Sequence, residues 1–193
     1  MRWNELKPDL KIGMLSCAIR ELDCLSAISI TTNLALGIRI YALPGCLESA
    51  KAHVRNNHYE VGGLLLGSVW DHTLPMRNST GPLVILVHAV PSQIYRNSPV
   101  SLEMDTEIWG RSNERAADRL IVVGWYHSHP NLGAFFSGTD RRTQKAFFGH
   151  PYSIGWVLDP FRDEEKLFVG KNSEEYLSSL LVISNELEMA QNH

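Results

Sequence analysis

Three apolar runs constrain this chain more than any other feature. EVGGLLLGSVW (60–70), PLVILVHAV (82–90) and LIVVGWYH (120–127) are rich in branched aliphatic residues and bounded by turn formers. Runs of this length with glycine, proline or asparagine at their edges read as buried strands. None reaches the roughly 18 apolar residues that a membrane helix needs, and no other segment does. IRIYAL (38–43), YSIGWVLD (152–159) and KLFVGK (166–171) read as further strands. DHTLPMRNSTG (71–81) is turn-rich and reads as a hairpin loop, with a substrate flap as the lesser reading.

Helices alternate with these strands. Pro44 suits a first helical turn, and Leu47, Ala50 and Val54 share a face, so the spacing predicts a helix over 44–55. Ile108, Trp109, Ala116 and Ala117 suggest a helix around 104–119, weakened by Gly110. Residues 137–148 read as another. A last helix is expected from Asn172, with Glu175 three residues on as in a capping box and a stripe of Leu177, Leu180, Leu181, Ser184 and Leu187. The order predicts an α/β fold, a mixed β-sheet flanked by helices. The 193 residues suit one domain, over 37–193, behind an N-terminal extension, 1–36, in which LSAISITT (25–32) could form a strand.

Composition narrows the partners. The net charge is −3, with acids and bases intermixed and no basic block to meet nucleic acid or anionic lipid. The three cysteines, Cys17, Cys24 and Cys46, form no CxxC pair, so they read as small core residues rather than disulfides or thiolate zinc ligands. The N-terminus, MRWNELKPDLKIGML, carries acids and a proline where a signal peptide needs an apolar core. A soluble protein of the reducing cytoplasm is the expectation.

The stretch GWYHSHPNLGAFFSGTD (124–140) carries the chemistry. On a strand, residues i and i+2 point to one face, so His127 and His129 project together and Ser128 opposes them. Two adjacent imidazoles suit a zinc ion at about 2.0–2.1 Å. Ser137 and Asp140 share a face at a helix start, where Asp140 can supply a third ligand. Three protein ligands and one open position are the arrangement of a catalytic rather than a structural zinc. Water in that position is activated at neutral pH, and a base must carry its proton to the leaving group. Glu60, opening an apolar strand, is the candidate. Each piece alone has a plainer reading: packed histidines, a helix N-cap at Ser137, a first-turn acid at Asp140, a strand-edge charge at Glu60.

Together, Glu60, then His127-Ser-His-Pro, six residues, and Ser137-Gly-Thr-Asp140 resemble the JAMM motif of the metal-binding MPN (JAB) domain: Glu, His-x-His-Pro, six residues, Ser-x-x-Asp. The flanks EVGGLLLG, VVGWYHSHP and VLDP are also similar, and the likeness covers roughly 38–171. The resemblance implies a zinc metallo-isopeptidase or peptidase that cuts ubiquitin or a ubiquitin-like protein from a conjugate or precursor. It implies that His127, His129 and Asp140 hold zinc, that Glu60 is the general acid/base, and that Ser137 hydrogen-bonds the activated water and steadies the oxyanion. A chain that is nearly all catalytic domain looks like a stand-alone prokaryotic-type member, with conjugation-pathway enzymes as possible partners. The alternatives are a non-catalytic MPN scaffold, or a peptidase trimming a sulfur-carrier protein or releasing a small amino acid. A base deaminase is disfavoured, because no PCxxC element exists. His88 reads as a hydrogen-bonded core histidine, Asp105 as a helix-start acid, and His53, His58, His72, His150 and His193 as surface, loop or terminal residues.

Overall fold

The apolar runs form adjacent strands of one mixed sheet. The computed structural model describes residues 13–14, 37–71, 81–93, 107–116, 120–178 and 180–182. In chain order the elements are β1 (Gly13–Met14), β2 (Arg39–Ala42), α1 (Pro44–Arg55), β3 (Gly62–Asp71), β4 (Leu83–Pro91), α2 (Glu107–Ala116), β5 (Ile121–Ser128), α3 (Gly138–Phe147), β6 (Ile154–Asp159), β7 (Glu164–Val169), β8 (Glu174–Glu175) and β9 (Leu181–Val182). The strand order is β8-β7-β6-β5-β3-β4-β2-β9, and β1 pairs with β3. β3 runs antiparallel to both β4 and β5, whereas β5 is parallel to β6 and β2 is parallel to β4. The parallel β5–β6 pair needs a crossover, and α3 supplies it.

The sheet is apolar on both faces, as strands covered on both sides must be. Ala50 and Val54 of α1 pack with Leu65, Tyr126 and Trp156 on one face. Ile108 of α2 packs with Leu64, Leu66, Trp125 and Val157 on the other, beside Phe136 and Phe148 at the two ends of α3. Successive side chains therefore serve opposite layers, Leu64 one and Leu65 the other, then Trp125 and Tyr126. The six expected strands and the helix over 44–55 appear within two residues of where the sequence predicts them; the helix expected around 104–119 is described over 107–116, and the short β1, β8 and β9 were not expected. Cys46 is a buried free thiol, and burial raises its pKa to about 12, which fits the reading of an inert core residue.

The end of the chain departs from expectation. The helix expected from Asn172 does not form among the described residues up to Val182. Residues 171–173 are a turn, and Glu174–Glu175 pair with Phe168 and Val169 instead. Ser173 sits at φ 54, a left-handed conformation that no helical first turn accepts. Its amide donates to the Gly170 carbonyl, and its carbonyl accepts from Arg141 of α3. These contacts and the pairing with β7 outweigh a local capping signature that is only a weak prior. Leu177, placed by the sequence on an inner stripe, is 88% exposed. LSAISITT, Cys17, Cys24, Asp105, most of DHTLPMRNSTG, His72, His193, Ser184 and Leu187 lie outside the described residues.

Candidate metal centre

The C-terminal end of β5 presents the first two donors. His127 lies on the same face as Trp125, two residues earlier, and the two rings stack at 4.5 Å with 8° between their planes. Trp125 is itself fixed: its indole N–H donates to Gln144 Oε1 at 2.6 Å, and Gln144 is fully buried in α3. His129 lies one residue beyond β5, but its amide still donates to the Leu158 carbonyl of β6. Pairing thus continues through the second histidine, and both imidazoles face the same way.

α3 brings the third donor. Ser137 is its N-cap, and its hydroxyl accepts from the Asp140 amide at 3.2 Å. The Asp140 carboxylate in turn accepts from the Ser137 amide at 2.6 Å. This reciprocal cap spends Asp140 Oδ2 and leaves Oδ1 facing His127 Nε2 at 3.4 Å. His127 Nε2 and His129 Nε2 are 3.2 Å apart, and His129 Nε2 lies 3.6 Å from Asp140 Oδ2. A tetrahedral ion with bonds of about 2.0–2.1 Å separates neighbouring ligand atoms by about 3.3–3.4 Å. All three side chains are buried, and their ligand atoms lie within 4.8 Å of one another. The donor set and its spacing fit zinc.

Glu60 joins the group from a different element. Gly62 is registered with His127, and Ser128 is bonded to Val61 three ways: its amide and its hydroxyl donate to the Val61 carbonyl, and its hydroxyl accepts from the Val61 amide. Ser128, the residue between the histidines, thereby anchors the approach to β3. Glu60 Oε1 ends 3.7 Å from His129 Nε2.

The electrostatics follow from burial. Burial raises the Glu60 pKa above the usual carboxylate value; His127 opposes the shift and Asp140 adds to it. Burial and the neighbouring His127 push the His129 imidazole down to about 4, leaving it neutral, as a ligand must be. Burial also acts to raise Asp140, but its contacts with His127 and with Ser137 win and hold it well below its ordinary value.

All five residues singled out from the motif, Glu60, His127, His129, Ser137 and Asp140, converge. The plainer readings of Ser137 and Asp140 also hold, since both residues cap α3. His88 sits half-buried on β4. His58 stacks on Phe161, and His150 stacks on Tyr152. His53 is more than a surface residue: its Nδ1 lies 2.9 Å from the buried Tyr126 hydroxyl, and burial lowers its pKa. Trp125, Gln144 and Asp159 were not singled out. Period two from His127 would have found Trp125; the other two act through the tertiary fold.

A family profile described as prokaryotic homologs of the JAB domain matches residues 46–167. The Caenorhabditis elegans protein F37A4.5 is 33% identical over 138 residues, 68% of this chain and 39% of that one. Ubiquitin carboxyl-terminal hydrolase RPN11 of Saccharomyces cerevisiae is 33% identical over 110 residues, 53% of this chain and 32% of its own. The chain thus spans less than half the length of these curated relatives. The solution structure of protein DSY2949 from Desulfitobacterium hafniense superposes with a TM-score of 0.53 at 23% identity, covering 80% of this chain and 99% of that one, a likeness of fold. With its profile match running from α1 into β7, the chain belongs to the JAB/MPN family, among the prokaryotic homologs of the JAB domain.

Proposed function

We propose that this chain is a zinc-dependent isopeptidase or peptidase that releases ubiquitin or a ubiquitin-like protein from a conjugate or precursor. The observation that carries the reading is the convergence of His127, His129 and Asp140 beside a carboxyl that does not belong to the ligand set, Glu60. The domain over 37–193 is the catalytic unit. Relatives in the family include a ubiquitin carboxyl-terminal hydrolase, which supports the substrate class.

His127, His129 and Asp140 would hold the ion, with Asp140 offering Oδ1 because Oδ2 is engaged in the cap. When bound, zinc supplies a Lewis acid for the scissile carbonyl and makes water nucleophilic at neutral pH. Glu60 takes the proton of the attacking water on its carboxylate and hands it to the departing lysine amine. An amine leaves poorly unless protonated, and a carboxyl with a raised pKa is the better shuttle. Ser137 uses an acceptor lone pair in the cap, which leaves its O–H to donate to the carbonyl oxygen as negative charge builds there.

The test is cleavage of a ubiquitin-like conjugate by purified protein, with zinc measured on the same sample. Activity that disappears on chelation and returns with zinc supports the proposal. Fully zinc-loaded protein that cleaves neither isopeptide nor peptide-linked substrates would favour the scaffold reading instead.

A further inference from the structure

The loop between His129 and α3 has a conformation that its own residues do not favour. Asn131 (φ 62) and Gly133 (φ 91) both take left-handed backbone angles. Asn tolerates this better than most residues, yet the conformation remains uphill. Partners outside the loop hold it. Asp159, buried at the end of β6, accepts from the Asn131 amide at 3.1 Å through Oδ1 and from the Gly133 amide at 2.7 Å through Oδ2. The same Oδ1 accepts from the Phe161 and Arg162 amides, at 3.1 and 3.3 Å, so one carboxylate ties the β6–β7 turn to the loop. Glu164, the first residue of β7, accepts from the Ala134 amide at 3.3 Å.

The held segment delivers two phenylalanines to different places. Phe136 turns inward and stacks on Phe168 at 4.2 Å. Gly155 lies beneath it, where a Cβ would collide with the Phe136 ring. Phe135 stays 46% exposed, with its ring 4.8 Å from His129. His129 itself is only 3% exposed. Phe135 is therefore part of what covers the second histidine, and its seat depends on the backbone of 131–134.

We infer that Asp159 and Glu164 are positioning residues: the β6–β7 turn grips the loop and thereby seats Phe135 against the metal ligand His129. This rests on the metal-centre reading given above. Neither carboxylate is bonded to a ligand or to Glu60, although the charge of Asp159 and the Gly133 backbone it holds both act on His129, so loosening the grip leaves the donor residues in place. It uncovers His129 and lets the ion escape faster.

The experiment follows zinc release from the loaded full chain to a chromogenic chelator. The variants are Asp159→Asn, Glu164→Gln, Phe135→Ala, the Asp159→Asn/Phe135→Ala double, and Val54→Ala as a control that loosens the opposite face of the sheet. Asp159→Asn and Phe135→Ala should each speed release about 10-fold, the low end for residues supporting a metal ligand. If Asp159 acts through Phe135, the double should exceed the faster single by no more than about 2-fold. Glu164→Gln, at an exposed carboxylate, should show a smaller change of the same sign, and it carries the test if Asp159→Asn fails to fold. Val54→Ala should leave release unchanged. Release indifferent to both carboxylates, a double in which the two effects multiply, or equal acceleration by Val54→Ala would each overturn the inference alone. Wild-type protein that takes up no zinc would overturn the metal-centre reading, and this inference with it.

Discussion

Two helices of this protein are held in opposite ways. α1 has no side-chain cap: Leu43 occupies the N-cap, and Pro44 opens the helix. It is anchored by the buried Cys46, Ala50 and Val54, an apolar stripe on the sheet. α3 has a reciprocal cap, and its buried residues are polar, Asp140 and Gln144. One faces the donor cluster, and the other holds the indole that backs His127. Hydrophobic burial is non-directional and tolerates small shifts, whereas hydrogen bonds fix direction. A helix that only closes a core can rest on the first. A helix that must aim a carboxylate to within a few tenths of an ångström needs the second. In α3 the residues that stabilise the helix, Ser137 and Asp140, are therefore also those proposed for chemistry.

That overlap can be tested by substitutions that separate the two roles. The largest effect is expected from His129→Ala, which should lose most bound zinc and all cleavage while α1 and its core stay native. Zinc retained at wild-type stoichiometry would remove His129 from the ligand set. Glu60→Gln should keep zinc and substrate binding but slow hydrolysis by at least about 10²-fold, because the amide cannot take a proton. Near-normal cleavage would take Glu60 out of the mechanism, and loss of zinc would make it a ligand.

Ser137 tests the overlap directly. Ser137→Ala should keep zinc, cut turnover by roughly 10²-fold, and also lower stability by about 1 kcal/mol through the lost cap. Ser137→Gly should show the same loss of turnover with only a few tenths of that destabilisation, since glycine is a fair N-cap. If stability and turnover fell together in both variants, the hydroxyl would be a cap and nothing more.

On the α1 side the expectation reverses. Val54→Ala should destabilise the fold by about 2 kcal/mol, the transfer and cavity cost of two methyl-sized groups, with zinc content and turnover unchanged. The smallest effect is the acid limb of stability. Burial alone would raise the Asp159 carboxyl, but amide donors from Gly133, Asn131, Phe161 and Arg162 outweigh it and hold it below 3.8. The folded state thus favours the charged form. Its contribution is present above about pH 4 and is lost as pH falls through the lower folded value. Urea midpoints should decline below pH 4, and Asp159→Asn should be weaker at pH 7 with a flatter decline. Parallel curves for the two proteins would contradict this.

What the sequence determined by itself was whatever depends on neighbours in the chain. Period two put His127 and His129 on one face, period 3.6 put Leu47, Ala50 and Val54 on another, and a three-residue spacing joined Ser137 to Asp140. The structure decided what depends on residues distant in the chain. β3–β5 pairing, pinned by Ser128 against Val61, brings Glu60 beside His129; the sequence offered Glu60 as a candidate base, but nothing local in the chain linked it to the histidines. The grip of Asp159 on Asn131 and Gly133 spans 28 and 26 residues and leaves no periodic trace. The expected helix after Asn172 failed for the same reason. Its signature was local, while Arg141 and the open edge of β7 offered the backbone other partners. Short-range spacing fixes which side chains share a face. Which faces meet is a free-energy comparison among whole packings, and only the folded chain makes it.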